Sequence, residues 1–167
     1  AESFITHKPG KTDDPEKDAH GVEAITQRAL QFMEKHRDRP FFLELAHNSI
    51  HAPIMAPRAL VEKYRRRPGS DRPENKPVIA AMMETLDSVG RVVAKLDALG
   101  LREPRLVIFY SDNGGLLADG AQTPFRGGKA QLYEGGIRVP LIMRWPGVIA
   151  AGRLSAAPVT SVDFFPT

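Results

Sequence analysis

The sequence predicts an α/β protein with a mainly parallel sheet flanked by helices, and three observations predict it. Residues 106–110, Leu-Val-Ile-Phe-Tyr, form an unbroken apolar run rich in β-branched and aromatic residues. Closed by Ser111-Asp112-Asn113-Gly114-Gly115, the run reads as a strand buried on both faces that ends in a tight turn. A helical pattern, a strand-like run and a polar loop also follow one another twice before residue 115, the alternation that winds a sheet by right-handed crossovers. Finally, the polar clusters fall just after the strand-like runs, where open α/β sheets collect ligands.

Composition bounds the possibilities. At 167 residues with 42% hydrophobic content, the chain can build one core of moderate size rather than two domains. Its net charge of +3 is small. Arg65, Arg66 and Arg67 bunch together, but beside Pro68-Gly69 and without interleaved aromatics they read as a solvated helix end, not a nucleic-acid patch. The absence of cysteine excludes disulfides, thiolate metal sites and a cysteine nucleophile. No stretch is long and apolar enough to span a membrane, and the first residues carry no signal-peptide pattern. Ala1 is not an initiator methionine, so the expectation is a processed or excised piece.

Residues 1–20 mix Pro, Gly, Asp and Lys and read as a lead-in arm or loop. From Asp18, Val22, Ile25, Ala29, Phe32 and Met33 recur at helical spacing until about Arg37, and Pro40 blocks continuation. Residues 41–46 are then a short strand, left by the loop His47-Asn48-Ser49-Ile50-His51-Ala52-Pro53. Residues 57–67 suit a short helix with Pro57 in its first turn, and residues 70–76 an exposed loop. The strongest helical signal spans residues 78–99: Ile79, Met82, Met83, Leu86, Val89, Val93 and Leu96 form one stripe, and Gly100 is a natural stop. After the strand at 106–110 comes a polar loop to Thr123, then two Gly-Gly pairs around Lys129. Residues 141–145 form another strand ended by Pro146-Gly147. Residues 158–160 are read as a last short strand, with Ser161-Val162-Asp163 capping a further helix.

Four residues stand out chemically. Asp112 and Asn113 offer adjacent hard oxygens of the kind Ca²⁺ or Mg²⁺ takes. The same pair also fits an ordinary polar turn, since Asx and Gly dominate such turns. The glycines around Lys129 suggest a backbone bent to bring its compact ammonium to an oxyanion. His51, with His47 as a weaker candidate on the same first loop, opens on the same rim if both strands share a parallel sheet; a histidine beside proline is more often a surface or packing residue. A cation, an ammonium and an imidazole converging on one point would bind a tetrahedral anion and stabilise its developing charge. Glu134 and Arg138 suit an ion pair, Asp87 a cap or pair, and Met82 and Met83 core filling.

These blocks resemble the sulfatases, the arylsulfatase-type members of the alkaline phosphatase superfamily. The resemblance runs through residues 42–53, 83–97 and 106–115, through Gly127-Gly128-Lys129 with Leu132-Tyr133-Glu134-Gly135-Gly136-Ile137-Arg138-Val139-Pro140, then Trp145-Pro146-Gly147 and residues 161–167. It implies an alkaline-phosphatase-like fold, here incomplete, and sulfuric ester hydrolysis. It further implies a divalent cation, usually Ca²⁺ with Mg²⁺ as alternative, held in part by Asp112 and Asn113. His51 resembles the histidine that contacts the sulfate ester or assists the leaving oxygen, and Lys129 the lysine that holds the sulfate. His47 falls outside the matched position.

The departure matters equally. Family members carry a Cys-or-Ser-x-Pro-x-Arg signature whose Cys or Ser becomes formylglycine, the nucleophile as its hydrate. This chain has no cysteine, and none of its serines is followed by x-Pro-x-Arg. The expectation is a single partial catalytic domain over residues 1–167, without its first strands, its nucleophile and the smaller C-terminal subdomain. Such a piece would be inactive alone. A phosphate-ester hydrolase of the same superfamily and a non-catalytic anion binder are the rival readings. The expected partner is a sulfate ester, with neither nucleic acid nor a membrane span, and an exposed sheet edge would invite self-association. A periplasmic or secreted location follows from the resemblance alone.

Overall fold

A computed structural model describes residues 14–17, 20–72, 75–101, 105–118 and 122–166. The arm expected over residues 1–20 lies for the most part outside them. The first helix, α1, spans Val22–Lys35. Its start is set by Gly21, whose φ of 67° turns the chain into the helix in a conformation that suits glycine, and whose carbonyl accepts the Ile25 N–H at 2.9 Å. Ile25, Ala29 and Met33 lie on its buried face, the spacing that the sequence predicts.

Helix α2 is Arg58–Arg65, α3 Pro77–Thr85 and α4 Ser88–Ala98. The single helix expected over residues 78–99 is therefore two. Around the break, Leu86, Asp87 and Val89 bond three residues back, to Met83, Glu84 and Leu86, tighter than an α-helix. Local hydroxyls compete there with the helical pattern: Thr85 Oγ1 donates to the Met82 carbonyl at 2.6 Å and Ser88 Oγ to that of Leu86 at 3.3 Å. The break turns the apolar stripe, so that Met82 is buried but Met83 is 49% exposed, and the core role expected for Met83 is not met.

Two small cores result. In the first, α1 packs on α4 through Ala29, Met33, Val92 and Leu96, joined by Phe41, Leu43, Leu45 and Val107. In the second, α2 packs on α3 through Ala81 and Met82 with Ala56, Ile54, Leu60, Val61 and Tyr64. Residues 41–46 run extended with odd positions turned inward and even ones exposed, the period of a strand. They join no ladder among the described residues, so the expected strand is an extended segment lying on the first core.

Strand β1 is Val107–Tyr110 and β2 is Leu141–Arg144. They pair antiparallel, with Val107 opposite Arg144 and Tyr110 opposite Leu141. This corrects the parallel arrangement expected for these strands. The chain leaving β1 returns through a glycine-rich connection to lie beside it, and Phe109 and Ile142, paired across the ladder, are 40% and 63% exposed, so β1 is not buried on both faces. Among its described residues the connection carries one short helix, α5, Glu134–Ile137. Residues 158–160 form no strand. A 3₁₀ turn at Ser161–Asp163 follows, capped by Thr160 rather than Ser161: the Thr160 N–H donates to Asp163 Oδ2 at 2.8 Å. Phe164 then meets Tyr110 edge-on at 5.0 Å between ring centroids.

Candidate active site

The loop after β1 and the two Gly-Gly segments interlock. The Gly114 N–H donates to the Gly136 carbonyl at 2.9 Å, the Lys129 N–H to the Gly115 carbonyl at 2.9 Å, and the Gly135 N–H to the Arg126 carbonyl at 2.8 Å. Backbone approaches so closely that side chains have no room. A Cβ on Gly114 would stand 1.8 Å from the Gly135 oxygen, and one on Gly135 2.1 Å from the Gly127 oxygen. Glycine is required here by contact, not by a turn alone. The Arg126 guanidinium lies over the Tyr133 ring at 3.9 Å and that of Arg138 over Phe125 at 4.7 Å, closing the segment from outside. Arg138 also pairs with Glu134 at 3.2 Å, the ion pair that the sequence suggests.

This knot brings three of the four sequence-predicted residues onto bonded neighbouring loops. Asp112 is exposed and Asn113 partly buried. Asn113 Nδ2 donates to the Gly114 carbonyl at 3.1 Å, which leaves Oδ1 without a partner among the described residues, as is the Asp112 carboxylate. Two hard oxygens with unused lone pairs on adjacent residues fit a divalent cation. They supply only part of a shell: among the described residues no group of three or more His, Cys, Asp or Glu side chains could hold a metal ion. Lys129 is partly buried, and its ammonium is likewise unpaired among the described residues.

His51 belongs to a different support. Its loop leaves the extended segment 41–46, and its N–H donates to the Asn48 carbonyl at 2.8 Å. His51 Nδ1 lies 3.0 Å from the Ala52 oxygen. A carbonyl only accepts, so Nδ1 carries a proton and donates it, which turns Nε2 to the outer side of the ring. The loop is tied to the start of α4 by His47, whose Nε2 lies 3.0 Å from Ser88 Oγ. Among the described residues no hydrogen bond, ion pair or ring contact joins His51 to the glycine knot. His47 is thus an anchoring residue, and its partner Ser88 carried no signal in the sequence beyond its place in a helical stripe. Gln131 and Gln122 were also missed: their side-chain oxygens accept the N–H groups of Gly128 at 3.2 Å and Gly115 at 3.3 Å.

The Sulfatase family model matches residues 3–167. The chain is 38% identical over 140 residues to a sulfatase of Formosa agariphila, covering 78% of this chain and 25% of that protein. It is 36% identical to the N-acetylgalactosamine-6-sulfatase of Mus musculus, over 90% of this chain and 28% of the relative. Among solved structures, Ps i-CgsB in complex with k-i-k-neocarrahexaose superposes with a TM-score of 0.78 at 32% identity, covering 87% of this chain and 32% of that one. The PsFucS1 sulfatase from Pseudoalteromonas sp. gives 0.62 at 34% identity, with 79% and 26% covered. The chain therefore spans about a quarter to a third of the length of these proteins.

Proposed function

The chain belongs to the sulfatase family, with the α/β fold of its structural neighbours, and from that premise we propose that residues 1–167 are the part of one sulfuric-ester hydrolase catalytic domain that holds the sulfate and part of its cation. The observation that carries this reading is the hydrogen bond from the Lys129 N–H to the Gly115 carbonyl, which ties the lysine's loop to that of Asp112 and Asn113. Asp112 and Asn113 would hold a divalent cation, Ca²⁺ in first place and Mg²⁺ in second, through a carboxylate oxygen and Oδ1. Such a cation, when bound, neutralises charge on a sulfate oxygen. Lys129 binds a second oxygen through its ammonium. His51, protonated at Nε2, would hand a proton to the leaving alcohol oxygen, while its Nδ1–H on the Ala52 carbonyl sets the ring.

The nucleophile of this reaction is not encoded in these residues, so the chain by itself turns over no substrate. Export to the periplasm or exterior and association through the open edge of the sheet belong to the same proposal. No helix among the described residues is long and apolar enough to cross a membrane.

Calorimetric titration with Ca²⁺ tests the metal assignment. Binding to the chain that Asp112→Ala abolishes supports it, and equal binding by both sinks it. For the reaction, the test is a longer protein carrying this segment together with a Cys-x-Pro-x-Arg segment. It should hydrolyse an aryl sulfate in preference to an aryl phosphate, and the reverse preference would favour the phosphate-ester reading.

A further inference from the structure

We propose that Gln131 is the positioning residue for Lys129, holding from both sides the turn at whose corner the lysine stands. The inference rests on the reading of Lys129 as a sulfate contact and adds to it how the ammonium is held. Gln131 bonds one residue twice: its own N–H donates to the Gly128 carbonyl at 3.0 Å, and its Oε1 accepts the Gly128 N–H at 3.2 Å. Residues 128–131 thus form a turn closed by a backbone and a side-chain hydrogen bond. Lys129 is its second residue. The third, Ala130, has a φ of 68°, the positive value that a type II turn demands and that normally selects glycine.

The side chain also fits the backbone it covers. A Cβ on Gly127 would stand 2.7 Å from Gln131 Oε1, and one on Gly136 would stand 2.0 Å from the Gln131 carbonyl oxygen. Gln131 therefore lies between the two Gly-Gly pairs. With the Lys129 N–H on Gly115, the lysine's backbone is fastened before and after its Cα, and freedom is left only in its side chain. Gln131 is itself exposed, and an exposed glutamine is ordinarily free to rotate in water. Folding it back onto the Gly128 N–H costs rotamer entropy, so the contact has a use beyond filling space. Exposure also makes the test clean, since removing the amide opens no cavity.

The whole chain is compared with Gln131→Leu, which lacks the acceptor, and Gln131→Glu, which retains one. Amide hydrogen exchange is read at Gly128 and Lys129, and the Lys129 side-chain resonances are followed during titration with inorganic sulfate. In Gln131→Leu, exchange at the two amides should rise about tenfold, what one lost hydrogen bond allows. Sulfate affinity read at Lys129 should fall roughly 2- to 10-fold, the cost of fixing a side chain that was held in advance, with the melting temperature lowered by no more than one lost hydrogen bond accounts for. Gln131→Glu should restore slow exchange. Parent-like exchange in Gln131→Leu overturns the clamp, and faster exchange with unaltered sulfate affinity overturns its positioning role. Lys129→Ala, with sulfate binding followed at the backbone amides of Gly128 and Ala130, separates the two readings: a sulfate response there that survives this change refutes the sulfate contact, while the exchange data still judge the clamp.

Discussion

The Gly114 N–H and the Gly136 carbonyl meet at 2.9 Å, binding the loop that leaves β1 to the helical turn α5. The carboxylate of Asp112 and the amide of Asn113 are carried on that loop, and its path depends on the absence of a side chain at residue 114. Gly114→Ala places a methyl 1.8 Å from the Gly135 oxygen, a backbone atom that cannot rotate away. The expected cost is about 3 kcal/mol, as for overpacked interiors, with loss of any Ca²⁺ binding that Asp112 supports. Urea unfolding checks it, and a change under about 0.5 kcal/mol, the range of neutral surface substitutions, would contradict the interlock.

Helices α1 and α4 are also joined across their exposed edge. Arg91 Nη1 and Nη2 donate to the two carboxylate oxygens of Glu23 at 2.5 and 3.1 Å, and Gln27 Nε2 adds a third bond at 2.7 Å. The Arg91 hydrogen bond foremost, then that of Gln27, lowers the Glu23 pKa from 4.5 to about 2. A carboxyl with a depressed folded pKa contributes stability that is complete above its unfolded value and is lost as pH falls through the folded one. The window is therefore pH 4.5 down to about 2. Glu23 is 56% exposed at its side chain, so water screens the pair and its contribution is about 1 kcal/mol or less. The stability difference between the parent and Glu23→Gln should shrink across that window. A difference constant between pH 6 and pH 2 would show that the pair contributes nothing.

How much of this was legible in the sequence depends on the range of the interactions involved. The stripe of Val22, Ile25, Ala29 and Met33 announced α1 because helical period and burial coincide there. The stripe from Ile79 to Leu96 announced one helix where there are two, because the break at Leu86 and Asp87 is made by the hydroxyls of Thr85 and Ser88, which periodicity does not weigh. Leu106 to Tyr110 gave a strand but not its partner: pairing direction follows from the path of the connection, and the 1.8 Å constraint at Gly114 is a tertiary fact. Of the candidate site, Asp112, Asn113 and Lys129 could be read from residue type beside glycine. Gln131 could not, since its role rests on a side chain folded back three residues.

Ser88 offers the sharpest separation of the histidine loop from the rest of the fold. Its hydroxyl has a single proton, which the Leu86 carbonyl accepts at 3.3 Å, so His47 Nε2–H is the donor across the 3.0 Å contact to Ser88 Oγ. This two-bond relay is buried, with Ser88 only 2% exposed. It joins the α3–α4 break to the loop that carries His51. Ser88→Ala removes the acceptor and leaves the His47 N–H facing a methyl, which should destabilise the chain by about 1–3 kcal/mol. The effect should also be local: exchange of the His51 amide, bonded to the Asn48 carbonyl at 2.8 Å, should quicken, while that of Lys129 on the glycine knot stays as in the parent. Ser88→Thr keeps the hydroxyl and should recover the slow exchange at His51 if the relay is what orders the loop. A His51 amide indifferent to Ser88→Ala would mean that the loop is held by Ile54 and Ala56 on the second core, and that His47 anchors nothing.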